Sequence, residues 1–503
     1  MIAEDANAPL GIPVEELRAR RITLIWLFSG GFVLFALAAL GGLMRLAQAL
    51  GGALDPQLFY EVLTIHGTGM VAIPLAIEAV ILWYLLKPVL PLNTALLKLE
   101  YFLVAMGVML ILLGVVGGNY AGAWTFLYPL PANRNGAGGA WNALGASAFL
   151  IGLALIVVAI LLWCLDFLRA SITKYGGLGS ALAFDYIRGD VDPARDHPDP
   201  SVLAGTVVAI LGVTGCLAGA LIVGLSLANI AFPALRLDPL FAKNVTYYTG
   251  HTIANIQIYV AAGIAYSVLP VYSKRPWHTN RIIALAWLAT LAIVMLAFFH
   301  HLYEDFAQPQ SVQYIGEIAS YAAAIPPLTV TIFGGVLLVY RSGIRWTAAP
   351  LFTFAGLAGW AIGGLGAVID STPMVNQYFH NTLWVPAHFH TYMALGVIFF
   401  IIGAVYHLMP RITGIAMSER TGRLAAILLI AGGWTVVLCW FAAGALGNPR
   451  RYVMALPGLE WLAWIGFIGA VVALTGALMV LRDFVSTAME IMDPIPRRTK
   501  KLA

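Results

Sequence analysis

Six of the ten histidines in this sequence stand inside apolar stretches, where ionisable side chains are rare. They are His66, His251, His300, His301, His388 and His390. Imidazole nitrogens are common ligands of transition metals. Burying this many imidazoles without partners would cost free energy, so the group as a whole predicts bound metal.

The elements that must position these histidines are membrane helices. Of 503 residues, 60% are hydrophobic and 10% are charged, whereas about a quarter of the residues of a soluble protein are charged. We predict an all-α integral membrane protein, a single membrane domain over 1–503 with short cytoplasmic tails at about 1–21 and 483–503. Its twelve apolar runs, each close to the roughly 20 residues that cross a bilayer, lie near 22–48, 58–87, 97–118, 144–170, 203–228, 243–269, 281–303, 312–340, 348–369, 383–409, 423–446 and 457–481.

The basic residues indicate how these spans are oriented. With twelve spans, both termini and the even-numbered loops lie on one side, and all but six of the 28 Lys and Arg residues fall there, as in cytoplasmic segments. We therefore expect a multi-pass protein of the bacterial cytoplasmic (inner) membrane with both termini inside. The six basic residues on the outer side are Arg45, Arg134, Arg236, Lys243, Arg450 and Arg451.

On these spans the six histidines fall at one depth near the outer surface. His388 and His390, two residues apart on a helix, point about 200° away from each other, so they must serve centres on opposite faces. His300 and His301 are about 100° apart and can share one ion with a third histidine from another helix. The spacing predicts three metal centres, two of which flank the tenth span.

Four motifs give the chain a family resemblance over essentially its whole length. Together they resemble the catalytic subunit of the haem-copper oxidase superfamily, in the manner of cytochrome c oxidase subunit I. The double histidine and the H-x-H motif are the specific part of the pattern. The motifs are "HGTGM" (His66 to Met70), "FHHLYEDFAQP" (Phe299 to Pro309), "HNTLWVPAHFHTYMALG" (His380 to Gly396) and "GNPRRY" (Gly447 to Tyr452).

The resemblance implies two haems, one low-spin and one high-spin, of b or a type, because histidine binds either. It implies that His66 and His390 are the axial ligands of the low-spin haem and that His388 is the axial ligand of the high-spin haem. The second metal of the binuclear site, normally copper, would be held by His251, His300 and His301.

The resemblance also places residues around the outer edge of the haems. Arg450 and Arg451 would bind the propionates, because guanidinium grips carboxylates bidentately. His380 and Asn381 resemble the residues on the propionate side. The stretch "WTFLYPLP", Trp124 to Pro131, resembles the family's outer loop over the haems, where packing is an equal alternative.

Asn255 is where the sequence departs from the oxygen-reducing members. Many of these have a tyrosine four residues after the first copper histidine, and it supplies an electron and a proton when the O–O bond breaks. Asn255 holds that position here, and an amide cannot be oxidised in that role. Neither Tyr303 nor the pair Tyr247 and Tyr248 is a convincing substitute, because each lies on the outer side of the histidines.

Reduction of two NO to N2O needs no such tyrosine. The known bacterial nitric oxide reductases of the superfamily place Glu at this position and bind non-haem iron, whereas Asn255 offers a neutral amide, which favours copper. A smaller group of oxidase-like relatives, proposed to reduce nitric oxide, keeps three histidines with Asn. The site therefore resembles that group, with Asn255 either bonding a ligand histidine or bound nitrogen oxide or simply packing its helix.

The resemblance offers a few candidates for a proton path. The H-P-E motif of the proton-pumping oxidases is "HTI" here, which puts one of their channels in doubt. A second route could use hydroxyl groups, although each can equally bond its own helix backbone, and the intramembrane Glu78 could relay protons or pair with another helix. The hydroxyl candidates are Tyr259, Thr329, Thr331 and Ser320.

Electrons must come from a partner. The chain has neither C-x-x-C-H nor a paired-cysteine copper motif, so we expect a second subunit with a cupredoxin-like copper or a c-type haem on the outer side. Three functions follow: a nitric oxide reductase, an oxygen reductase of the cytochrome c oxidase type that manages without the tyrosine, and, from another class, a twelve-helix transporter.

Overall fold

The computed structural model of the protein describes residues 13–124, 127–132, 139–304 and 307–492. Twelve helices in these ranges are long and apolar enough to span a membrane, which confirms the predicted all-α class. They are α1 Val14–Ala49, α2 Pro56–Leu86, α3 Thr94–Gly117, α4 Ala143–Tyr175, α5 Pro200–Ala231, α6 Pro239–Ser273, α7 Arg281–Leu302, α8 Gln310–Val339, α9 Ala348–Asp370, α10 Trp384–Thr413, α11 Glu419–Ala445 and α12 Glu460–Met489.

The helices at the two ends of the chain extend beyond the predicted spans. α1 begins at Val14, and its first turn carries Glu15 and Glu16, which the positive end of a helix dipole favours. Glu16 also accepts a 2.7 Å bond from Arg20 one turn later. α12 continues to Met492. The predicted tails are therefore partly helical, because charged residues outside the apolar run can continue the same helix.

Several helices begin at a residue whose side chain caps the free backbone N–H groups of the first turn, as Ser, Asp and Asn commonly do. For α2, the carboxylate of Asp55 accepts from the backbone N–H of Gln57 at 2.9 Å, and proline follows it in the first turn. The side chains that cap in this way are Asp55, Asn93, Asn142, Asp238, Asn280 and Ser418.

Three membrane helices contain a π turn, and a fourth ends in a tighter one. The π turns are Leu113–Gly117, Thr329–Phe333 and Met393–Val397, and α7 ends in the 3-10 turn Phe298–Leu302. In α8 the π turn follows Pro326 and Pro327, which cannot donate backbone hydrogen bonds. Two of these turns adjoin candidate ligands: the 3-10 turn contains the double histidine, and the π turn of α10 follows the H-x-H motif.

The last two helices pack with almost no space between their backbones. A Cβ atom at Gly432 of α11 would lie 2.5 Å from the carbonyl oxygen of Gly469 in α12, and one at Gly469 would lie 2.9 Å from the carbonyl oxygen of Gly432. Membrane helices commonly use small residues for such contacts, because dispersion forces grow as the backbones approach. The contact holds α11 closely against α12.

Replacing Gly432 with valine should separate these two helices. The branched side chain would meet backbone atoms that cannot move aside, so we expect a loss of about 1–3 kcal/mol in the free energy of unfolding. Thermal unfolding of the purified protein measures this as a lower midpoint. Gly224→Val is the matched control, because a Cβ at Gly224 meets nothing within 4 Å. Equal midpoints for the two variants would contradict the close packing.

Candidate metal centre and cofactor cavity

A cavity of about 640 Å³ lies among the helices, and all six histidines singled out in the sequence line it. Its walls come mainly from α1, α2, α6, α10, α11 and α12. The six histidines of the predicted layer therefore line one continuous cavity. The cavity also holds Arg450, Arg451 and His380, and is otherwise largely apolar.

His66 and His390 face each other across this space. Their ring centres are 6.4 Å apart, and the ring planes differ by 8°. Two imidazoles that bind one metal ion from opposite sides at about 2 Å have ring centres about 6.3 Å apart. The observed separation therefore fits a single metal ion between the rings.

Hydrogen bonds fix which nitrogen of these two histidines faces inward. His66 Nδ1 lies 2.8 Å from the carbonyl oxygen of Leu37, and His390 Nδ1 lies 2.7 Å from that of Pro386. Each Nδ1 therefore carries the proton and donates, which leaves Nε2 with a free lone pair. In both rings Nε2 is therefore the nitrogen available to a metal ion in the cavity.

His388 lies on the other side of α10, as the helical angle predicted. It packs against α9, where a Cβ at Gly366 would lie 2.6 Å from its Nδ1. Its Nε2 is 3.9 Å from the Oδ2 atom of Asp370. Because His390 faces α2 and His388 faces α9, α10 contributes one histidine to each of two separate parts of the cavity.

The other three histidines form a compact cluster. One ring nitrogen from each of His251, His300 and His301 lies within 4.8 Å of the others. His300 Nε2 is 3.1 Å from His301 Nε2, which is 3.4 Å from His251 Nδ1. Three converging imidazoles make a nitrogen-rich site that suits copper, and among the described residues no carboxylate belongs to the cluster.

Ser320 of α8 supports this cluster. Its Oγ lies 2.8 Å from His300 Nδ1 and donates a 2.5 Å bond to the carbonyl oxygen of Gly316. His300 Nδ1–H therefore donates to Ser320, which turns Nε2 toward the other two histidines. The sequence suggested Ser320 as part of a proton path; in the structure its partner is a candidate metal ligand.

Asn255 lies one helical turn below His251 and contacts it twice. Its Nδ2 donates to the carbonyl oxygen of His251 at 2.8 Å, which fixes the orientation of the amide, and lies 3.1 Å from His251 Nε2. The amide therefore occupies the side of the ring opposite the cluster. Tyr259, a further turn along, donates to Asn255 Oδ1 at 3.3 Å. His251, Asn255 and Tyr259 form a hydrogen-bonded row along α6.

The outer edge of the cavity is positively charged. The backbone N–H of Arg450 donates to the carbonyl oxygen of Asn381 at 2.9 Å, and its guanidinium lies 3.4 Å from Asn381 Oδ1. Burial, together with the neighbouring Arg451, lowers the pKa of Arg450 to about 10. Burial and the nearby Arg450 lower the pKa of His380 to about 4, so it is neutral. Bound carboxylates would compensate this charge.

Arg45 also lines the cavity, which the sequence analysis missed by counting it as an outer basic residue. It is buried within α1, with 2% of its surface exposed. Its guanidinium donates to Gln48 Oε1 at 2.9 Å and to the carbonyl oxygen of Leu462 at 3.0 Å. It lies 5.8 Å from the ring of Trp440, which is 4.6 Å from the ring of His390. The feature of the sequence that could have indicated this role is the position of Arg45 within an apolar span.

The remaining proton-path candidates lie in different environments. Thr331 is fully buried, and its hydroxyl is 2.5 Å from that of Tyr266, a residue the sequence analysis did not name. Thr329 is exposed and donates to the carbonyl oxygen of Ile325 in its own helix, which is the alternative left open for it. Glu78 is fully buried, and neither carboxylate oxygen has a hydrogen-bond partner among the described residues.

Only part of the predicted outer loop can be placed. The stretch from Trp124 to Pro131 includes residues 125–126, which lie outside the described ranges. The Trp124 ring packs between α2 and α6, 2.9 Å from a Cβ built at Gly67 and 3.2 Å from one built at Gly250. Trp124 lines the cavity, in agreement with the packing role.

A bundle of twelve membrane helices around facing and clustered histidines defines a class of membrane protein built to hold metal cofactors. The sequence model of the family described as "Cytochrome C and Quinol oxidase polypeptide I" matches residues 21–472. The chain belongs to this family and is the catalytic subunit of a haem-copper oxidase superfamily oxidoreductase. This membership argues against the transporter alternative.

The relatives include oxidases from several bacteria. The chain is 24% identical over 489 residues to "Cytochrome c oxidase subunit 1" of Bacillus subtilis, covering 94% of this chain and 75% of that protein. It is 30% identical over 279 residues to the protein of the same name from Thermostichus vulcanus, covering 54% of this chain and 50% of that one. A solved structure described as a heme-copper terminal oxidase dimer shares the fold, with a TM-score of 0.80, 19% identity and coverage of 95% and 85%.

The facing pair can be tested by removing one ring. His66→Ala removes one of the two rings that face each other across the cavity, so we expect the purified protein to bind less haem than the unaltered protein. The haem-to-protein ratio measures the loss. His278→Ala is the control, because His278 is exposed on the loop after α6. An unchanged haem-to-protein ratio in His66→Ala would contradict a cofactor held between His66 and His390.

The support for His300 predicts a second effect. Ser320→Ala removes the acceptor that orients the His300 ring, and loss of such a partner typically weakens metal affinity by about 10–100-fold. Copper retained after dialysis against a chelator measures it. Thr329→Ala, on the same helix but exposed, should retain copper like the unaltered protein. Equal copper loss from both variants would mean that the Ser320 bond does not hold the ligand.

Proposed function

We propose that the protein is the catalytic subunit of a bacterial respiratory enzyme that reduces nitric oxide to nitrous oxide. The observation that carries the proposal is Asn255, whose amide lies beside His251, at the position where the family resemblance implies a tyrosine in many oxygen-reducing members. The reaction takes two NO, two electrons and two protons to N2O and water. It needs no oxidisable side chain at this position.

The cavity fits the cofactors that this function requires. His66 and His390 would hold a low-spin haem, His388 a high-spin haem, and the cluster of three histidines a copper ion rather than non-haem iron. These groups supply electron transfer and a metal pair at which a small molecule is reduced. Arg450 and Arg451, with His380 and Asn381, would bind the propionates, because the buried positive charge there needs carboxylate partners.

The residues of this chain hold and shape the reaction site. Asn255 donates to the carbonyl oxygen of His251, and its amide packs 3.1 Å from Nε2 of that ring, which keeps Nδ1 on the side of the cluster. Ser320 does the same for His300. The apolar cavity walls keep bulk water away, which strengthens electrostatic interactions at the site. Fixed ligands and a dry space favour a reaction between two small neutral molecules.

Reduction of O2 to water is the second candidate, and the names of the relatives support it more directly. The Bacillus and Thermostichus proteins are both named as cytochrome c oxidase subunits. The row from His251 through Asn255 to Tyr259 also places a phenol near the cluster. The Tyr259 hydroxyl donates to the Asn255 amide, which in turn contacts His251. An oxygen reductase of this kind would use Tyr259 in place of the missing tyrosine.

Protons for either reaction must reach the buried site. The pair Tyr266 and Thr331 lies further toward the inner end of α6 than Tyr259, and all three side chains are buried. We assign them to a route from the inner side, and we assign the buried Glu78, whose carboxylate has no hydrogen-bond partner among the described residues, to a proton relay. Ser320 and the exposed Thr329 are not assigned to this route, because Ser320 bonds His300 and Thr329 bonds the carbonyl oxygen of Ile325. Electrons would arrive from a partner subunit with a cupredoxin-like copper or a c-type haem on the outer side.

The experiment is turnover by the purified complex with one artificial electron donor and either NO or O2 at a gas electrode. We expect rapid NO consumption with N2O as product, slow O2 uptake, and copper and iron in a one-to-two ratio. Asn255→Gln, which keeps the amide but displaces it, should slow NO turnover and alter the electron paramagnetic resonance of oxidised copper.

The opposite outcome is equally clear. Rapid O2 reduction with little NO turnover would replace the proposal by the oxygen reductase. In that case Tyr259→Phe should abolish O2 turnover, whereas under the first proposal it should reduce NO turnover only through slower proton delivery.

A further inference from the structure

The rings of the two facing histidines are almost parallel, although the histidine side chain itself does not require this. An imidazole turns about a bond between an sp³ and an sp² carbon, which allows a broad range of angles. The hydrogen bonds from Nδ1 hold each ring at one atom only, and such a bond tolerates about 30° of tilt. The 8° angle between His66 and His390 therefore depends on what else touches the two rings.

The indole of Trp440 in α11 packs directly on His390. The two ring centres are 4.6 Å apart, and the ring planes differ by 67°. Aromatic pairs have their centres about 4.5–7 Å apart, so this contact is at the short end of the range. His390 therefore cannot turn far before its atoms meet the indole.

Trp440 is itself held in place by residues of α1 and α12. The guanidinium of Arg45 lies 5.8 Å from the centre of the indole ring, in a cation–π contact. Arg45 is fixed in turn, because it donates to Gln48 Oε1 at 2.9 Å and to the carbonyl oxygen of Leu462 at 3.0 Å. The indole also packs against a small buried cluster that consists of Leu383, Cys439, Ala443 and Leu462.

A tryptophan at this position has a cost that an aliphatic residue would avoid. The indole Nε1 of Trp440 is buried and has no hydrogen-bond partner among the described residues. A buried indole N–H normally finds a partner, and leaving one unmade costs free energy. Leucine would pack here without an unpaired polar group, but it has no flat ring to set against the imidazole.

The opposite ring is fixed by the backbone of α1. A Cβ atom at Gly41 would lie 2.8 Å from His66 Cε1, so the edge of the imidazole packs where a side chain would otherwise be. The Leu37 carbonyl that binds His66 Nδ1 lies one helical turn earlier on the same helix. His66 is therefore confined by α1, and His390 by the indole.

We propose that Trp440 is a positioning residue that fixes the plane of the His390 ring and so keeps it parallel to His66. The inference rests on the proposed function in assigning both rings to one low-spin haem. Ligands whose planes are set by their surroundings need not turn when the cofactor binds or changes its oxidation state, which is the benefit of a preorganised site.

Electron paramagnetic resonance of the oxidised complex tests this role. The largest g value of a low-spin haem with two imidazole ligands rises as the two ring planes turn away from parallel. We expect Trp440→Leu to raise this g value and to broaden the signal, because His390 is then free to turn. Trp440→Phe retains a flat ring and should give a spectrum close to that of the unaltered protein.

Trp434→Leu is the matched control. Trp434 belongs to the same helix, is half-buried and does not line the cavity, so its replacement should leave the g values unchanged. This control separates a turned ligand from a general loosening of α11.

Gly41 provides an independent variant if Trp440→Leu retains too little haem. Gly41→Ala places a methyl group where the His66 ring lies, so it should turn the other ligand and shift the same g value. Gly224→Ala should not, because a Cβ at Gly224 meets nothing within 4 Å.

Two results would overturn the proposal. They are identical g values in Trp440→Leu and Trp434→Leu, and an equal shift in Trp440→Leu and Trp440→Phe. The signal is recorded without turnover, so a failure of NO reduction does not affect it. A wrong assignment of the two rings to one haem gives a different result, namely a low-spin signal that survives His66→Ala.

Discussion

Placing six imidazoles in one apolar layer is the constraint on which the rest of the structure depends. Each ring needs a partner for both nitrogens, and hydrocarbon provides none. For three of the rings the protein meets the demand on one side with its own oxygen atoms: Leu37 for His66, Pro386 for His390 and Ser320 for His300. The other nitrogens face a shared cavity. The helices around it are arranged so that backbone carbonyls and one hydroxyl lie behind the rings and space lies in front of them.

The same constraint explains why the cavity is charged only at its outer edge. Charges are least costly near the membrane surface, where water and ionic partners are close. Arg450 and His380 lie there, in the connections between helices. Burial lowers the pKa of each side chain. Arg45 likewise lies near the outer end of α1, where Gln48, the carbonyl oxygen of Leu462 and the face of Trp440 stabilise it.

Much of this architecture could be predicted from the sequence, because it follows from helical periodicity. The number of spans comes from apolar run lengths, and the separation of His388 from His390 comes from the angle between residues two apart. Contacts between distant helices could not be predicted in this way. Ser320 appeared to be one hydroxyl among several, and only the packing of α8 against the end of α7 brings it to His300. The burial of Arg45 could not be predicted either, because it depends on contacts with α11 and α12.

The π turn of α10 divides this helix into an outer part, which carries the histidines, and an inner part, which packs against neighbouring helices. It spans Met393–Val397, directly after the segment that carries His388 and His390. A π turn adds a residue to the helix without breaking its axis, so the inner half is rotated relative to the outer half. The inner half is almost entirely buried among its neighbours. A substitution that shifts the packing of the inner half can therefore be absorbed at this turn, where the backbone hydrogen bonding already changes, before it displaces His388 or His390.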